Sequence, residues 1–188
     1  MYQICVSGAA KGDSVEEGKE LARAAGAAIA EAGHALMTGA TIGLPNYAAE
    51  GYKAAGGKMS LGISPASSKV EHIRKYRLPT EAYDVILYSG LHYVGRDALL
   101  ITSSDAVISI GGRLGTLHEF TIAMESDTPI GFLQGAGGVS EQIAALMELA
   151  QPLRPGAIVL FDNSPEALVK NLTKTLDLEN AKYGDIYA

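Results

Sequence analysis

The residues best suited to chemistry lie in one segment where a buried strand is followed directly by glycines and a helix. This segment is DAVISIGGRLGTLHE, residues 105–119. Glycine permits a positive φ and close approach of a ligand to the backbone, and the free N–H groups of a helix N-terminus attract phosphate. The segment therefore predicts a phosphate-binding turn, although a turn that uses glycine for geometry alone is the alternative. The predicted binding residues are Gly111, Gly112, Arg113, Gly115 and Thr116.

Two further glycine-containing turns follow predicted strands. SGAAKG spans residues 7–12, and TGATIG spans residues 38–43. Ligands of open parallel sheets bind beyond the carboxyl ends of the strands, so all three turns are expected at one edge. A phosphate at one turn and a sugar or base over the others is the economical interpretation. It adds Gly8, Ala9, Gly39 and Gly43 to the predicted binding residues.

Two charged residues flank the strand of this segment. Glu119 lies one turn into the helix that begins at the glycines, within modest reach of the sugar of a bound phosphoester. Arg96 lies near the start of the preceding helix, where the helix dipole gives a cation no advantage, so its position favours an anionic partner. The alternatives are a solvated glutamate that the dipole favours, and a surface salt bridge of Arg96 with Asp97 or Glu119.

Other candidates carry weaker signals. Tyr88, His92 and Tyr93 could stack on a base, although a tyrosine at a strand end commonly belongs to the edge of the core. The basic run RKYR at residues 74–77 could hold an anion, but a solvated loop is the simpler interpretation. No group of residues has the spacing of metal ligands, so we expect neither a metal nor a cofactor.

The hydrophobic pattern alternates short strand-like runs with longer helical ones, and it indicates which strands and helices carry these residues. Between them, residues 64–82 are rich in proline, serine and charge, which predicts a long surface loop with room for one helical turn. The alternation predicts an α/β fold with a single Rossmann-like, doubly wound parallel sheet of about seven strands and helices on both faces. The predicted strands are residues 3–7, 34–39, 58–64, 83–89, 105–112, 129–134 and 157–162.

Length and charge limit the class of protein. The 188 residues suit one domain, which we place at residues 1–177 with residues 178–188 as a frayed tail. The net charge of −6 argues against binding to a nucleic acid polymer. The N-terminus does not resemble a signal peptide, and the apolar runs are too short to span a membrane. We therefore expect a cytoplasmic protein with no membrane partner.

The order of these motifs resembles the LOG-like Rossmann proteins, which include cytokinin-activating phosphoribohydrolases and molybdenum cofactor carrier proteins. The resemblance covers residues 2–165. ICVSGA, LMTGATIGLPNYAAEG and GRDALLITSSDAVISIGGRLGTLHE occupy the places of the family's first turn, its glycine-rich second turn, and its arginine followed by P-G-G-x-G-T-x-x-E. Arg96 falls 16 residues before Gly112, and Glu119 falls seven after it, as in the family pattern.

This resemblance implies roles for particular residues. It makes Arg96 and Glu119 the catalytic pair, and it also implies a homo-oligomer, either a dimer or a tetramer. The implied phosphate-binding residues are Gly112, Gly115 and Thr116.

The departures from the family pattern are specific. Gly111 replaces a proline, Arg113 replaces a glycine, and Asp97 stands where the cytokinin-activating enzymes have lysine. These changes resemble the carrier proteins more than the cytokinin-activating enzymes.

Two functions follow from these observations. The first is hydrolysis of the N-glycosidic bond of a nucleoside 5′-monophosphate, in which Glu119 stabilises an oxocarbenium-like sugar or activates water while Arg96 holds the substrate. The second is a non-catalytic carrier or sensor of a phosphorylated pterin or nucleotide. One phosphate site serves both functions. The presence of both Arg96 and Glu119 in register favours the enzyme.

Overall fold

The computed structural model describes residues 1–184, in which parallel strands alternate with helices. The strands are β1 Gln3–Gly8, β2 Ala35–Thr38, β3 Ser60–Ser64, β4 Val85–Tyr88, β5 Ala106–Ile110, β6 Ile130–Leu133 and β7 Val159–Asp162. The helices are α1 Asp13–Glu31, α2 Leu44–Ala54, α3 Lys69–Arg74, α4 His92–Thr102, α5 Leu114–Glu125, α6 Ile143–Leu149 and α7 Pro165–Ala181, and a 3-10 turn at Val139–Gln142 precedes α6.

All seven strands form one parallel sheet in the order β4-β3-β2-β1-β5-β6-β7. This confirms the predicted α/β fold with a doubly wound parallel sheet. The chain leaves β1 toward β2 and leaves β5 toward β6, so the winding reverses between the two central strands. A reversal of this kind opens a crevice beyond the carboxyl ends of the two strands.

Helices cover both faces of the sheet because successive side chains of each buried strand point to opposite sides. On β1, Ile4 and Val6 pack in the same core cluster as buried residues of α1, α2 and α7. Cys5 lies between them in sequence and packs in a second cluster with buried residues of α4, α5 and α6. Because both faces are buried, the central strands have continuous apolar runs.

Most elements end within a few residues of the expected boundaries, and α4 and α7 extend furthest beyond them. α4 begins at His92, three residues before the predicted start, with Leu91 at the N-cap position. α7 continues to Ala181, past the predicted end at residue 177. Its last turns are held because the hydroxyl of Tyr2 donates to Asp177 and accepts a hydrogen bond from Asn180.

The predicted tail therefore begins with helix, and residues 185–188 lie outside the described residues. The predicted loop at residues 64–82 contains one short helix, α3, whose first turn is capped by Ser68. Within residues 1–184, no helix has both the length and the apolar character that crossing a membrane requires.

α1 and α2 pack backbone against backbone at two glycines. A Cβ atom on Gly26 would lie 1.9 Å from the carbonyl oxygen of Ala48, and one on Gly51 would lie 2.1 Å from the carbonyl oxygen of Arg23. Both distances are far inside van der Waals contact. Helix α2, which follows β2, is therefore fixed closely to helix α1, which follows β1.

This packing predicts that Gly26→Ala destabilises the protein, because the new methyl group must push the helices apart. The expected loss in the free energy of unfolding is about 1–3 kcal/mol, which exceeds the gain of up to about 1 kcal/mol that alanine brings to a helix interior. Urea unfolding followed by circular dichroism measures the difference.

Gly115→Ala is the matched control, since Gly115 is also helical but a Cβ atom there would have no neighbour within 4 Å. We expect this variant to be as stable as the parent or more so. Equal stability of Gly26→Ala and the parent would contradict the close packing of α1 and α2.

Candidate functional site

A cleft of about 300 Å³ opens beyond the carboxyl ends of β1 and β5, where the winding of the sheet reverses. Residues from all three glycine-containing turns line it. The predicted site residues in its lining are Gly8, Ala9, Gly39, Arg96, Arg113, Gly115, Thr116 and Glu119. Ser7, Lys11, Thr41 and Asp97 also line the cleft although they were not predicted to bind. Tyr93, one of the weaker candidates for stacking on a base, lines it as well.

Three predicted binding residues lie outside the cleft lining. Gly43 is the N-cap residue of α2 and packs against the backbone of Ala9 and Ala10. Gly111 and Gly112 lie in the turn between β5 and α5, behind the residues that reach the cleft. These three glycines shape the turns, and any contact they make with a ligand stays a prediction.

The turn after β5 has the geometry of an anion site. Gly112 has φ +89°, and a Cβ atom there would lie 1.8 Å from the hydroxyl oxygen of Thr116. The amide of Val139 donates to the carbonyl oxygen of Gly112 at 2.9 Å, which braces the turn from behind. The side chain of Arg113, the N-cap residue of α5, makes no capping hydrogen bond. The first N–H groups of α5 therefore have no partner in their own helix.

The helices that follow β1 and β2 begin in the same way as α5. Their N-cap residues are Gly12 and Gly43, neither of which offers a side chain to the first turn. In contrast, Ser68 caps α3 and Ser164 caps α7 through their hydroxyl oxygens. A capping side chain would occupy the amides that a ligand needs. α4 and α6 also lack a capping side chain, so open first turns are not confined to the cleft. α1, α2 and α5 nevertheless all follow strands whose carboxyl ends face it.

Arg96 is buried, which is uncommon for an arginine and requires compensation. Its Nη2 atom lies 3.3 Å from Oδ1 of Asp97, so the salt bridge is formed inside the protein and not on the surface as the alternative interpretation had it. A Cβ atom on Gly39 would lie 1.6 Å from Nη1 of Arg96. Gly39 thus makes room for the guanidinium group, a role that the sequence analysis did not assign to it.

The guanidinium group of Arg96 is incompletely paired. Its Nε atom is buried and has no hydrogen-bond partner among the described residues. An unsatisfied charged donor next to a cleft is costly unless a ligand or water completes its hydrogen bonds. This arrangement favours an anion in the cleft.

Glu119 is buried at the base of the cleft, which excludes the alternative of a solvated glutamate at the start of the helix. The hydroxyl of Ser7 donates a hydrogen bond to its carboxyl group. Burial, together with the negative charge of Asp97, raises the pKa of Glu119 to about 7. Near neutral pH this carboxyl group therefore exchanges a proton readily, as an acid or base in catalysis must.

Asp97 connects the charged residues of the site. Its Oδ1 atom pairs with Arg96, and its Oδ2 atom lies 3.1 Å from Nδ1 of His118. His118 stands next to Glu119 on α5, and only part of its side chain is buried. A single carboxyl group thus holds Arg96, contacts α5 and raises the pKa of Glu119.

The charges that line the cleft are mainly positive. Lys11, Arg96 and Arg113 face the carboxyl groups of Asp97 and Glu119. Because the pKa of Glu119 is about 7, that group is only partly ionised at neutral pH. The cleft is therefore positive in a chain whose net charge is −6, which attracts an anionic ligand.

The weaker candidates lie mostly outside the cleft. Tyr88 packs edge-on against the ring of His72, with the ring centroids 5.7 Å apart. Lys75, in the basic run, pairs with Glu71 at 2.5 Å. Among residues 1–184, no three histidine, cysteine, aspartate or glutamate side chains form a group that could hold a metal ion.

The environment of Glu119 predicts a specific dependence of stability on pH. Its pKa lies near 7 in the folded protein, above the ordinary value of 4.5. The folded state therefore binds the proton more tightly than the unfolded chain, so the stability that this proton confers is present below pH 4.5 and is lost as pH rises through about 7.

As the pH rises from 5 to 8, ionisation of Glu119 is expected to lower the free energy of unfolding by up to about 3 kcal/mol. Glu119→Gln should not show this loss. Urea unfolding at both pH values gives the difference between the two proteins. Glu148→Gln is the control, because Glu148 is exposed on α6. A difference between parent and Glu119→Gln that does not change with pH would refute the raised pKa.

The chain is similar to known proteins in sequence and in fold. An uncharacterised protein of Archaeoglobus fulgidus is 33% identical over 134 residues, which cover 71% of this chain and 81% of that protein. The solved structure of a protein named TM1055 is similar in fold, with a TM-score of 0.80 over 93% of this chain and 99% of that one at 23% identity.

A second solved structure has a functional name. The molybdenum cofactor carrier protein of Chlamydomonas reinhardtii is 28% identical, with a TM-score of 0.71 over 92% of this chain and 98% of that one. The model of the SLOG cluster4 family matches residues 1–169, which include every strand of the sheet and every residue of the cleft lining. The chain therefore belongs to the SLOG cluster4 family, a LOG-like Rossmann family.

Proposed function

We propose that this protein is a carrier or sensor that binds a small phosphorylated ligand, a pterin or nucleotide derivative, in the cleft between β1 and β5. The observation that carries the proposal is the buried, incompletely paired guanidinium group of Arg96 in that cleft. A buried cation with a free donor is stabilised by an anion that completes its hydrogen bonds.

The phosphate would bind at the N-terminus of α5. The open amides of the first turn, the hydroxyl of Thr116 and the side chain of Arg113 lie together there. Each is a donor, and the helix dipole adds partial positive charge at the same place. Arg96 and Lys11 would hold the more remote part of the ligand.

The shape of the cleft suits a small molecule. Its volume of about 300 Å³ is at the lower end of the range for small-ligand sites. Of the described residues in the cleft lining, three carry positive charge, which suits a small anion better than a nucleic acid polymer, whose binding needs an extended basic surface. The similarity to the molybdenum cofactor carrier protein of Chlamydomonas reinhardtii supports a carrier role.

The first test is loss of phosphate binding in Gly112→Ala. The new methyl group would occupy the position of the Thr116 hydroxyl and displace that donor from the turn. Losing one or two charge-assisted hydrogen bonds weakens binding by about 10- to 100-fold. Isothermal titration calorimetry with AMP and with ribose 5-phosphate measures the dissociation constants.

Gly135→Ala is the matched control. Gly135 also has a positive φ, of +106°, so alanine strains both backbones, but a Cβ atom there meets nothing within 4 Å. We expect this variant to bind both compounds as the parent does. If the parent binds neither compound, or if Gly112→Ala binds as tightly as the parent, the proposed site is wrong.

A second candidate function is hydrolysis of a nucleoside 5′-monophosphate to free base and ribose 5-phosphate. The observation that favours it is the burial of Glu119 in the same cleft, with a pKa of about 7 and a hydrogen bond from Ser7. As the bond from C1′ to the base nitrogen breaks, the electron pair leaves with the base. Ionised Glu119 would stabilise the resulting cation and accept a proton from the water that adds to C1′. Transfer of this proton to the departing base nitrogen gives the neutral free base and restores ionised Glu119.

Turnover separates the two candidates. If the protein is a hydrolase, incubation with AMP releases adenine and ribose 5-phosphate, and Glu119→Gln should slow release by about 100-fold or more while AMP binding is retained. Chromatography detects the free base. The rate should rise with pH through about 7, as the carboxyl group of Glu119 ionises. Absence of free base in the parent, together with tight binding, identifies the carrier.

A further inference from the structure

Among the described residues that line the cleft, Tyr93 is the only aromatic one. It stands in the first turn of α4, three residues before Arg96 and four before Asp97. Residues with these spacings share one face of a helix. The tyrosine ring is thus beside the charged residues of the site, and 46% of the residue is exposed, so part of the ring is free to contact a ligand.

The ring of Tyr93 is held in place by neighbours from another part of the chain. The ring of Tyr76 packs against it edge-on, with centroids 5.6 Å apart and planes at 77°. The hydroxyl of Tyr76 in turn lies 2.7 Å from Nδ1 of His92. Tyr76 belongs to the segment between α3 and β4. This segment therefore supports a wall of the cleft.

The first two turns add small apolar side chains to the lining, next to the polar side chains of Ser7, Lys11 and Thr41. Ala9, Ala10 and Pro45 contribute to the same cleft. Burial raises the pKa of Tyr93, so its hydroxyl stays neutral at physiological pH. The cleft thus combines anion-binding groups with an aromatic surface and small apolar side chains, which is the combination that binds a flat ring attached to a phosphate.

We infer that a heteroaromatic ring of the ligand stacks on Tyr93, whose orientation Tyr76 and His92 fix. The ligand class is then a phosphate ester that carries a flat heterocycle, and a bare sugar phosphate is a poor ligand. This inference rests on the proposed binding function and adds the residue that selects for the ring.

The experiment compares two ligands that differ by the ring alone. AMP has a heterocycle, and ribose 5-phosphate has the same sugar phosphate without it. Base stacking on an aromatic side chain is worth about 1–3 kcal/mol, so Tyr93→Leu should weaken AMP binding by about 10-fold and leave ribose 5-phosphate binding within about twofold of the parent. Tyr93→Phe keeps the ring and should keep AMP binding. Tyr183→Leu, at an exposed tyrosine on the C-terminal side of α7, is the matched control and should change neither.

A spectroscopic test does not depend on whether the leucine variant folds. The chain contains no tryptophan, so Tyr93→Trp introduces a single indole fluorophore at the proposed stacking position. AMP should quench its emission, and ribose 5-phosphate at saturation should not.

The outcomes distinguish this inference from the function on which it rests. If the parent binds both ligands equally well, or if Tyr93→Leu weakens both to the same extent, the stacking role is refuted while phosphate binding stands. Unchanged emission of Tyr93→Trp on AMP binding refutes it as well. If the parent binds neither ligand, the proposed function fails, and the inference fails with it.

Discussion

The site depends on a buried positive charge at the reversal point of the sheet. Arg96 can occupy this position only because Gly39 has no side chain and because Asp97 supplies a carboxyl group within 3.3 Å. Taking a guanidinium group out of water is costly, and removing the single acidic partner of such a group costs about 3–5 kcal/mol. The geometry of the cleft is therefore constrained by electrostatics as well as by the apolar core beneath it.

The same ion pair controls the chemistry of the neighbouring acid. Asp97 neutralises much of the field of Arg96, so Glu119 does not gain a strong cationic partner, and its own burial raises its pKa to about 7. A lysine at residue 97, as in the cytokinin-activating enzymes that the sequence resembles, would reverse the sign of this effect. Asp97 thus gives the site an electrostatic environment that a lysine at this residue would not.

The sequence predicted the fold well because its signals are local. Buried strands and amphipathic helices differ in the period of their apolar residues, and glycines mark where one ends and the next begins. The spacing of Arg96 and Glu119 about the glycines also placed both in the cleft. The contact between Ser7 and Glu119 could not be predicted in this way, since 112 residues separate them. Nor could the role of Gly39, which depends on a side chain that arrives from α4, or the extension of α7, which depends on Tyr2.

The backbone contact between α1 and α2 has a consequence for ligand capture. Because Gly26 and Gly51 let these helices touch directly, and because Gly43 packs against the backbone of Ala9 and Ala10, the amino ends of α1 and α2 are held close together near the cleft. A receptor whose donors are already in place loses little conformational entropy when the ligand arrives. The affinity of this small cleft would then come from pre-organisation more than from contact area, and it would be sensitive to mutations at a helix interface that no ligand touches.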